Sequence, residues 1–524
     1  MEMLRKTQSV CPECLKVLPA EVFEKEAQVW IRKTCGEHGE FEDLYWGSHE
    51  MYKRAEKFAY EGRGVWNPNV EKEAPLCPAD CGLCKLHKSH TALANLVVTN
   101  RCDISCWYCF FQAKRAGYIY EPSLEQIREM VKTLRDEQPV PCNAVQLTGG
   151  EPLLRDDLID IIRICKGEGI DHVQLNTNGV RLAQDSELVK EVSQAGVNTI
   201  YLSFDGLTPK TNPKNHWEIP QIMENCREAN IGIVLVPTVI KSINDHEIGD
   251  ILRFGLENLN VVRGVNFQPV SFVGRMSRKE KERYRITIPG VIERIEEQTK
   301  GEICTEDFYP VPTVMPISNF VEALTKKPEY ELSAHFSCGM GTYVFRDNGK
   351  MVPITSFIDV EGLLEYLKEK ANEIKAGKSK YLTGLKLLWK IRSFVDKSKQ
   401  PKGFGTAKIL YNVLIRHNYE TLGKFHDRTL LIGMMHFMDL ANYDIERVKR
   451  CCIHYVMTDK RIIPFCAFNV MPEWYRDKDQ KSRGISFEEW EKTTGRILKF
   501  DIYKRDKENF ESSGIYKKVY EKFQ

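Results

Sequence analysis

Apolar residues between positions 92 and 267 occur in short continuous runs, separated by longer segments with helical spacing. The short runs are typical of buried strands, and the segments between them are typical of amphipathic helices that cover a sheet. The pattern predicts strands over 92–99, 143–147, 172–175, 199–202, 231–237 and 261–267. It predicts helices over Ser123–Asp136, Arg155–Gly167 and Glu187–Ala195. This alternation predicts an α/β fold with a parallel sheet that curls into a barrel or part of one.

Polar or glycine-rich residues follow several of the predicted strands. The carboxyl ends of parallel strands meet at one edge of an α/β sheet, and reacting groups collect there. We therefore expect these residues to lie together at one end of the barrel. They are, in chain order, Cys102, Cys106, Cys109, Gly149, Gly150, Glu151, Asn176, Asn178, Ser203 and Asp205.

The first of these loops contains a C-x3-C-x2-C motif formed by Cys102, Cys106 and Cys109. This spacing lets one loop deliver three thiolates to three irons of a cubane cluster. The fourth iron then has no protein ligand and stays open to a small molecule. Tyr108 precedes the third cysteine, where its ring can shield the cluster. The alternatives are a chance group of cysteines and a zinc loop.

Composition changes this picture mainly through cysteine. The chain has 524 residues, 17 cysteines and a formal net charge of +2, which gives no indication of nucleic-acid binding. No segment approaches the roughly 20 apolar residues of a spanning helix, and the N-terminus has no secretory signal. We therefore expect a cytoplasmic protein. In that reducing compartment, clustered cysteines favour metal ligation over disulfides.

Near the N-terminus, Cys11, Cys14, Cys35 and His38 form a C-x2-C and C-x2-H pair on two knuckles. Three sulfurs and one nitrogen are typical ligands of a closed tetrahedral site, and so small a module needs such a staple. The apolar stretch 29–31 predicts a strand between the knuckles. The pattern predicts one mononuclear zinc or iron ion and does not distinguish the two metals.

The segment from about residue 92 to residue 298 resembles the radical S-adenosylmethionine (SAM) superfamily, whose core is a partial (β/α)6 TIM-like barrel. The resemblance implies that Cys102, Cys106 and Cys109 hold the catalytic [4Fe–4S] cluster. One electron from the cluster cleaves SAM in such enzymes, and the resulting 5′-deoxyadenosyl radical abstracts hydrogen from the substrate. The resemblance implies further SAM contacts at Gly149, Gly150, Glu151, Asn176, Asn178, Ser203 and Asp205.

A second C-x3-C-x2-C motif, Cys77, Cys81 and Cys84, precedes the first predicted strand. It lies at the amino end of that strand, as does Cys142 before the second strand. We expect these four cysteines to hold an auxiliary [4Fe–4S] cluster beneath the barrel. A second SAM-cleaving cluster is the alternative for the motif, and a plain core thiol is the alternative for Cys142.

Cys338 opens a segment that predicts a β-hairpin with an Asn348-Gly349 turn. It resembles the hairpin of the auxiliary-cluster domains that follow many radical SAM cores, except that no cysteine follows Pro353. We expect later cysteines to make up a second auxiliary cluster. Its expected ligands are Cys338, Cys451, Cys452 and Cys466. The thiols expected to be structural are Cys165, Cys226 and Cys304.

The C-terminal third carries a basic segment, 378–428, with twelve Lys/Arg against three Asp/Glu. Its leucines and other apolar residues at helical spacing predict a basic amphipathic helix, which suits an anionic membrane surface. The apolar residues concerned are Leu385, Leu388, Ile391 and Val395. The Met-rich run 430–438 follows, and such runs adapt to irregular apolar partners. The alternatives are an ordinary packed helix for the first segment and a buried core helix for the second.

Over its whole length the chain resembles the archaeal tetraether lipid synthases in the order of its cysteine motifs. The motifs are CPEC, CGEHG, CPADCGLC, CDISCWYC, LTGGEP, the CGMGTYVF hairpin and the CC…C tail. The resemblance implies coupling of terminal methyl carbons of phytanyl chains in archaeal diether lipids, which yields macrocyclic archaeol or tetraether (GDGT) lipids. Since the first alkyl radical must be held while the second forms, our hypothesis is that a sulfur of the Cys338 cluster, near the barrel mouth, holds it.

Three other functions share parts of this pattern. A radical SAM methylase acting on a pterin or another heterocycle would have the same core and would transfer the SAM methyl group. An electron-transfer or scaffold protein would leave the Gly-Gly-Glu-Pro element without a role. A peptide-modifying maturase usually has a leader-binding module at its N-terminus, where this chain has a metal ribbon.

The predicted organisation has four parts. They are a metal ribbon over 1–60, an auxiliary-cluster loop over 61–91, the radical SAM barrel over 92–300, and a mostly helical auxiliary-cluster domain over 301–524. The expected cofactors are three [4Fe–4S] clusters, SAM and one mononuclear iron or zinc ion. The expected partners are an archaeal diether lipid, the inner face of the membrane and a reductant such as ferredoxin, with no nucleic acid.

Overall fold

The centre of the protein is a large sheet of mainly parallel strands, preceded by a four-stranded antiparallel sheet. The computed structural model describes residues 2–109, 111, 116–273, 278–406, 410, 425 and 428–523. The strands are β1 (Glu2–Val10), β2 (Val17–Lys25), β3 (Gln28–Cys35), β4 (Gly39–Trp46), β5 (Leu93–Thr99), β6 (Ala144–Gly149), β7 (His172–Thr177), β8 (Thr199–Ser203), β9 (Gly232–Val236), β10 (Thr238–Val239), β11 (Val262–Pro269), β12 (Tyr309–Pro310), β13 (Gly339–Asp347), β14 (Lys350–Pro353), β15 (Thr429–Met435), β16 (Ile453–Val456) and β17 (Ile462–Pro464). The helices are α1 (His49–Glu56), α2 (Leu124–Arg135), α3 (Leu158–Gly167), α4 (Val180–Gln184), α5 (Ser186–Ala195), α6 (Ile219–Glu228), α7 (Ile248–Glu257), α8 (Arg278–Tyr284), α9 (Ile288–Gln298), α10 (Met315–Thr325), α11 (Val360–Lys375), α12 (Lys380–Lys390), α13 (Ile445–Lys449), α14 (Phe465–Val470), α15 (Arg476–Arg483), α16 (Phe487–Thr494), α17 (Lys507–Ser512) and α18 (Gly514–Tyr520).

Strands β5, β6, β7, β8, β9 and β11 lie side by side in that order and all run parallel. Helix α2 shows why the sequence folds this way locally. Ser123 and Gln126 form a capping box at its start, and its buried apolar residues recur at helical spacing. The predicted α/β fold with a partial (β/α)6 barrel is therefore confirmed.

Two strands from the C-terminal third extend the barrel sheet at both ends. Strand β15 pairs parallel with β11, and β16 pairs parallel with β5. The alternative of a buried core helix over 430–438 was therefore wrong, because residues 429–435 form a strand. An apolar run of this length fits a helix or a strand buried on both faces equally well, and β11 and β13 supply its hydrogen-bonding partners. Strands on both sides of residue 300 thus share one sheet.

The hairpin after Cys338 has the predicted form. Strands β13 and β14 pair antiparallel, and the turn residues Asn348 and Gly349 have φ angles of 51° and 80°. Two positive φ angles are typical of the type I′ turn that an Asn-Gly pair favours. Because β13 also pairs with β15, the hairpin places Cys338 beside the end of the barrel sheet.

The N-terminal sheet is fixed to the segment before helix α13 by buried polar contacts. The Lys33 ammonium donates hydrogen bonds to the carbonyl oxygens of Leu440 (2.8 Å) and Ala441 (2.9 Å). Burial lowers the pKa of Lys33 to about 8. These contacts satisfy a buried cation with backbone carbonyls, so the ribbon has one defined position.

Asp444 makes a second connection between the same two parts. Its carboxylate pairs with Arg5 and accepts hydrogen bonds from Thr7 Oγ1 (2.7 Å) and Tyr45 Oη (2.8 Å). It also accepts one from the Glu446 backbone N–H (3.0 Å), which caps α13. The nearby positive charge of Arg5 lowers the pKa of Asp444 despite its burial.

The predicted basic amphipathic segment lies only partly within the described residues. Residues 407–409, 411–424 and 426–427 lie outside them, as do the side chains of Leu385 and Leu388. Helix α12 ends at Lys390, so Ile391 and Val395, which are both buried, follow it rather than complete its face. Within the described part of the chain, no helix is both long and apolar enough to cross a bilayer.

Asp444→Asn should lower the free energy of unfolding by about 3 kcal/mol, because it leaves the mostly buried Arg5 cation without its counter-ion. Urea titration followed by circular dichroism measures the change. Glu187→Gln removes an exposed ion pair with Lys190 and should leave the midpoint unchanged. Equal urea midpoints of unfolding for Asp444→Asn and the unsubstituted protein would show that the Arg5–Asp444 ion pair does not stabilise the fold.

Candidate active site at the carboxyl end of the barrel

A cavity of about 700 Å³ opens at the carboxyl ends of the barrel strands. Cys102, Cys106 and Cys109 line it on one side. The volume is within the range of pockets that hold cofactors and small substrates. We expected the motifs at the strand ends to meet at one edge of the sheet. The three cysteines line the same cavity as residues that follow the next strands, which are Gly149, Gly150, Glu151, Asn176, Asn178 and Ser203.

The loop with these cysteines is held by an unusually close backbone approach. The N–H of Gly150 donates to the carbonyl oxygen of Thr99 (2.8 Å), and the N–H of Glu151 donates to that of Arg101 (2.6 Å). A Cβ atom at Gly150 would lie 1.9 Å from the Arg101 oxygen, and one at Gly149 would lie 2.0 Å from the Thr99 oxygen. Only glycine fits such an approach, which explains the Gly-Gly pair.

Arg101 organises this loop, a role that no sequence motif predicted. Its guanidinium, with a side chain only 2% exposed, pairs with Glu121 (2.8 Å) and Asp501 (2.7 Å). It also donates to the Leu154 carbonyl oxygen (2.7 Å), and its guanidinium carbon lies 4.7 Å from the centre of the Trp490 ring. One cation thus ties the cluster loop to the next strand end and to the C-terminal segment.

Glu151 holds the third strand end in place. Its carboxylate accepts hydrogen bonds from Thr177 Oγ1 (2.6 Å) and from the backbone N–H groups of Asn178 (2.8 Å) and Leu153 (3.1 Å). Burial, assisted by the charge of Asp103, raises the pKa of Glu151 to about 8. Its side chain is therefore committed to protein partners, and the backbone of the motif faces the cavity.

The other strand-end residues differ in their surroundings. Asn176 and Ser203 line the cavity. Asn178 also lines it, but its Nδ2 donates to Asp103 Oδ1 (2.7 Å) within the cluster loop. The implied SAM contacts of these three residues stay a prediction.

Asp205 is held by protein partners, and its implied SAM contact stays a prediction. Its carboxylate accepts a hydrogen bond from Tyr108 Oη, pairs with the Lys214 ammonium (2.8 Å) and accepts from the Thr238 N–H (3.0 Å). Its side chain is buried beneath these partners. Asp205 thus fixes the aromatic ring between Cys106 and Cys109, and Lys214, which sequence analysis missed, reaches the cavity instead.

A chain of three amides crosses the floor of the cavity. Gln146 Nε2 donates to Asn95 Oδ1 (2.7 Å), and Gln174 Nε2 donates to Gln146 Oε1 (2.7 Å). These residues lie on adjacent strands β5, β6 and β7, and all three line the cavity. Each amide is a polar residue within an otherwise apolar strand. That pattern indicates a polar barrel interior, but no site residue was predicted from it.

The opposite wall is aromatic and comes from the C-terminal third. Phe437 and Phe465 stack with ring centres 3.9 Å apart, and Tyr455 lies 5.3 Å from Phe465. All three line the cavity, as does Met435 at the end of β15. The cavity therefore has a polar floor and an apolar wall.

The structure brings Cys338, Cys451, Cys452 and Cys466 together behind this wall. Burial raises the pKa of Cys451, Cys452 and Cys466, that of Cys466 to about 11, and the nearby charge of Cys338 adds to the rise at each. Arg447 Nε donates to Cys338 Sγ (3.3 Å). The Arg447 charge opposes the rise in the pKa of Cys466 and so favours the anionic, metal-binding form of that thiol.

Cys77, Cys81 and Cys84 lie together at a small pocket, but Cys142 is not among its lining residues. The Cys142 thiol donates to the carbonyl oxygen of Ala144 (3.3 Å) and is fully buried. The prediction that Cys142 completes this group is therefore corrected: the structure places it in the core between β6 and α2, as the alternative had it.

The N-terminal ligands form a compact site. The ligand atoms of Cys11, Cys14, Cys35 and His38 all lie within 4.8 Å of one another. The Glu37 backbone N–H and the His38 side chain lower the pKa of Cys35 to about 6. Four convergent soft ligands fit one tetrahedral ion.

Comparison with known proteins gives two family matches. Residues 96–255 match the model of the radical SAM superfamily, and residues 3–47 match that of the HMPTM N-terminal zinc ribbon domain. The predicted core and metal ribbon are thereby confirmed.

The 7,8-dihydro-6-hydroxymethylpterin dimethyltransferase of Methanocaldococcus jannaschii is 47% identical over 504 residues, which cover 94% of this chain and 97% of that protein. A GTP 3′,8-cyclase of Aquifex aeolicus is 35% identical over 187 residues, 34% of this chain and 56% of that one. Among solved structures, HydG, a maturase of the [FeFe]-hydrogenase, shares 17% identity with a TM-score of 0.32, over 40% of this chain and 50% of that chain.

Gly150→Ala should weaken SAM binding by at least about 10-fold, because the added Cβ pushes the cluster loop away. Isothermal titration with SAM measures the affinity. Gly167→Ala is the matched control, since its Cβ would meet nothing within 4 Å. An unchanged SAM affinity in Gly150→Ala would show that the close approach does not position the loop.

Cys14→Ser should lose the metal ion of the ribbon and lower the thermal midpoint, since bound metal supplies folding energy to so small a module. Mass spectrometry of metal content measures the loss. Cys304→Ser removes a thiol that donates to the Gly301 carbonyl oxygen and should keep the full metal content. Full metal content in Cys14→Ser would contradict the ligand set.

Proposed function

The chain belongs to the radical SAM family of the 7,8-dihydro-6-hydroxymethylpterin dimethyltransferase of M. jannaschii, and we propose that it methylates a pterin or a similar flat heterocycle. The observation that carries the proposal is the 47% identity over 94% of the chain. The likeness includes the zinc ribbon, the barrel and the C-terminal third alike. The sequence similarity therefore extends over the segments that line the cavity and is not limited to the radical SAM core.

The expected coupling of diether lipid chains is contradicted by the same relative. That protein is named a pterin dimethyltransferase, and its likeness spans the cysteine motifs on which the expectation depended. Those motifs hold metal sites, and metal sites do not specify the substrate. Terminal-carbon coupling is therefore replaced by the methylase alternative.

The composition of the cavity supports a heterocyclic substrate. A pterin has one edge with alternating hydrogen-bond donors and acceptors and two flat apolar faces. The amides of Gln146 and Gln174 place donors and acceptors along the floor, while Asn95 is held by Gln146 and by the His454 carbonyl oxygen. The aromatic rings of the opposite wall suit a flat face.

The residues present also fit the cofactors of the superfamily. Three thiols on one loop face the cavity, which is the donor set of a cubane with one open iron. A [4Fe–4S] cluster held there supplies the electron that cleaves SAM, and so generates the radical that abstracts hydrogen. The loop, the Gly-Gly backbone and the closed aromatic wall position the reactants and exclude water.

Two further clusters belong to the proposal. The Cys338 group provides four thiols for one auxiliary [4Fe–4S] cluster. Cys77, Cys81 and Cys84 provide three thiols for another, whose fourth ligand is not Cys142. A low-potential reductant such as ferredoxin completes the set of partners.

Anaerobically reconstituted protein should methylate 7,8-dihydro-6-hydroxymethylpterin when given reductant and SAM with a labelled methyl group. Mass spectrometry should find the label in the pterin, together with 5′-deoxyadenosine and S-adenosylhomocysteine. Gln146→Leu should raise the KM for the pterin by about 10-fold through a lost hydrogen bond, while SAM cleavage without substrate stays intact.

A parallel incubation contains a diether lipid deuterated at its terminal methyl groups. Unlabelled pterin, together with deuterium in the 5′-deoxyadenosine from the lipid, would overturn the proposal. Cys109→Ala serves as the inactive control, since it removes one ligand of the catalytic cluster.

A further inference from the structure

Helix α12 exposes large apolar side chains on its outer surface. Tyr381, Leu382 and Trp389 are 77%, 61% and 84% exposed. The inner surface of the helix is anchored, because Leu387 is buried in a cluster with Phe320 and other aromatic rings. Large apolar groups with this exposure are unusual on the outer face of an anchored helix.

The same helix lies in a strongly basic stretch. Residues 378–402 contain eight Lys/Arg and one acidic residue, while the whole chain has a net charge of +2. All eight cations are exposed. Lys378 pairs with Glu373, and Lys399 lies 3.8 Å from Asp396. The positive charge is therefore local to this surface, which we call the α12 patch and define by Tyr381, Leu382, Lys386, Trp389 and Lys390.

We propose that the α12 patch docks the protein on an anionic lipid bilayer, with the helix lying in the plane of the interface. Leu382, Lys386, Trp389 and Lys390 fall on one face at helical spacing. Trp and Tyr prefer the boundary between headgroups and acyl chains, and Lys side chains extend from that depth to the phosphates. The patch has both signals that reversible surface binding needs, apolar insertion and cationic attraction.

The arrangement favours a membrane over a nucleic acid or a protein groove. A nucleic acid would neutralise the lysines but would leave Leu382 and Trp389 largely in water. A protein groove that accepts a basic amphipathic helix encloses most of its surface, whereas Leu387 anchors the inner side of α12 to the protein. A bilayer surface satisfies both features at once. The proposal does not depend on the substrate, since the patch is outside the cavity.

The test is sedimentation of the full-length protein with vesicles of phosphatidylcholine, with and without phosphatidylglycerol. Binding should occur only with the anionic vesicles and should weaken as salt rises. The double variant Leu382→Ala/Trp389→Ala should bind at least about 10-fold more weakly, and Lys386→Gln/Lys390→Gln should weaken binding most at low salt.

Trp66→Ala is the matched control, because Trp66 is 67% exposed at another place on the surface. It should bind vesicles like the unsubstituted protein, and all variants should cleave SAM at the same rate, which reports an intact fold. Equal vesicle binding by Leu382→Ala/Trp389→Ala would overturn the proposal. So would an absence of vesicle binding, or a salt-dependent affinity for RNA that Lys386→Gln/Lys390→Gln abolishes while vesicles stay unbound.

Discussion

The close contact between two strand ends is the constraint on which the site depends. The backbone at Gly149 and Gly150 lies so near Thr99 and Arg101 that no side chain fits between them. Two backbone hydrogen bonds and the buried guanidinium of Arg101 hold the contact closed. Because the cluster loop starts at this contact, its three thiols are aimed by the sheet and not by the loop itself.

The cavity combines parts of very different sequence origin. The polar floor comes from the first strands of the barrel, whereas the aromatic wall comes from residues after 430. A segment outside the radical SAM core thus supplies part of the lining of the cavity. This division explains how the metal motifs can be alike across enzymes with different substrates.

The sequence predicted those parts of the fold that depend on local patterns. Alternating strands and helices, the Asn-Gly hairpin and the four ribbon ligands each have a short-range signature, and each was confirmed or brought together as expected. Strand β15 was missed because its apolar run fits a helix equally well, and its partners lie more than 80 residues away. The prediction that Cys142 joins the Cys77 group was wrong because the spacing of cysteines along the chain does not determine where a single side chain before a strand points. The prediction of a lipid substrate was wrong because the order of cysteines describes a scaffold, and the amide floor of the cavity was overlooked.

The placement of strands β5 and β16 also limits how the protein can assemble. Leu93 and Ile453 are neighbours in the sheet, but 360 residues separate them along the chain. During translation the barrel strands β5 to β11 are synthesised long before β16, the strand that pairs with β5. Strands that are this far apart in sequence pair slowly, because the chain loses much conformational entropy before the contact supplies stabilising free energy. The edge of β5, which leads into the loop with Cys102, Cys106 and Cys109, therefore stays unpaired until residues 453–456 have been synthesised.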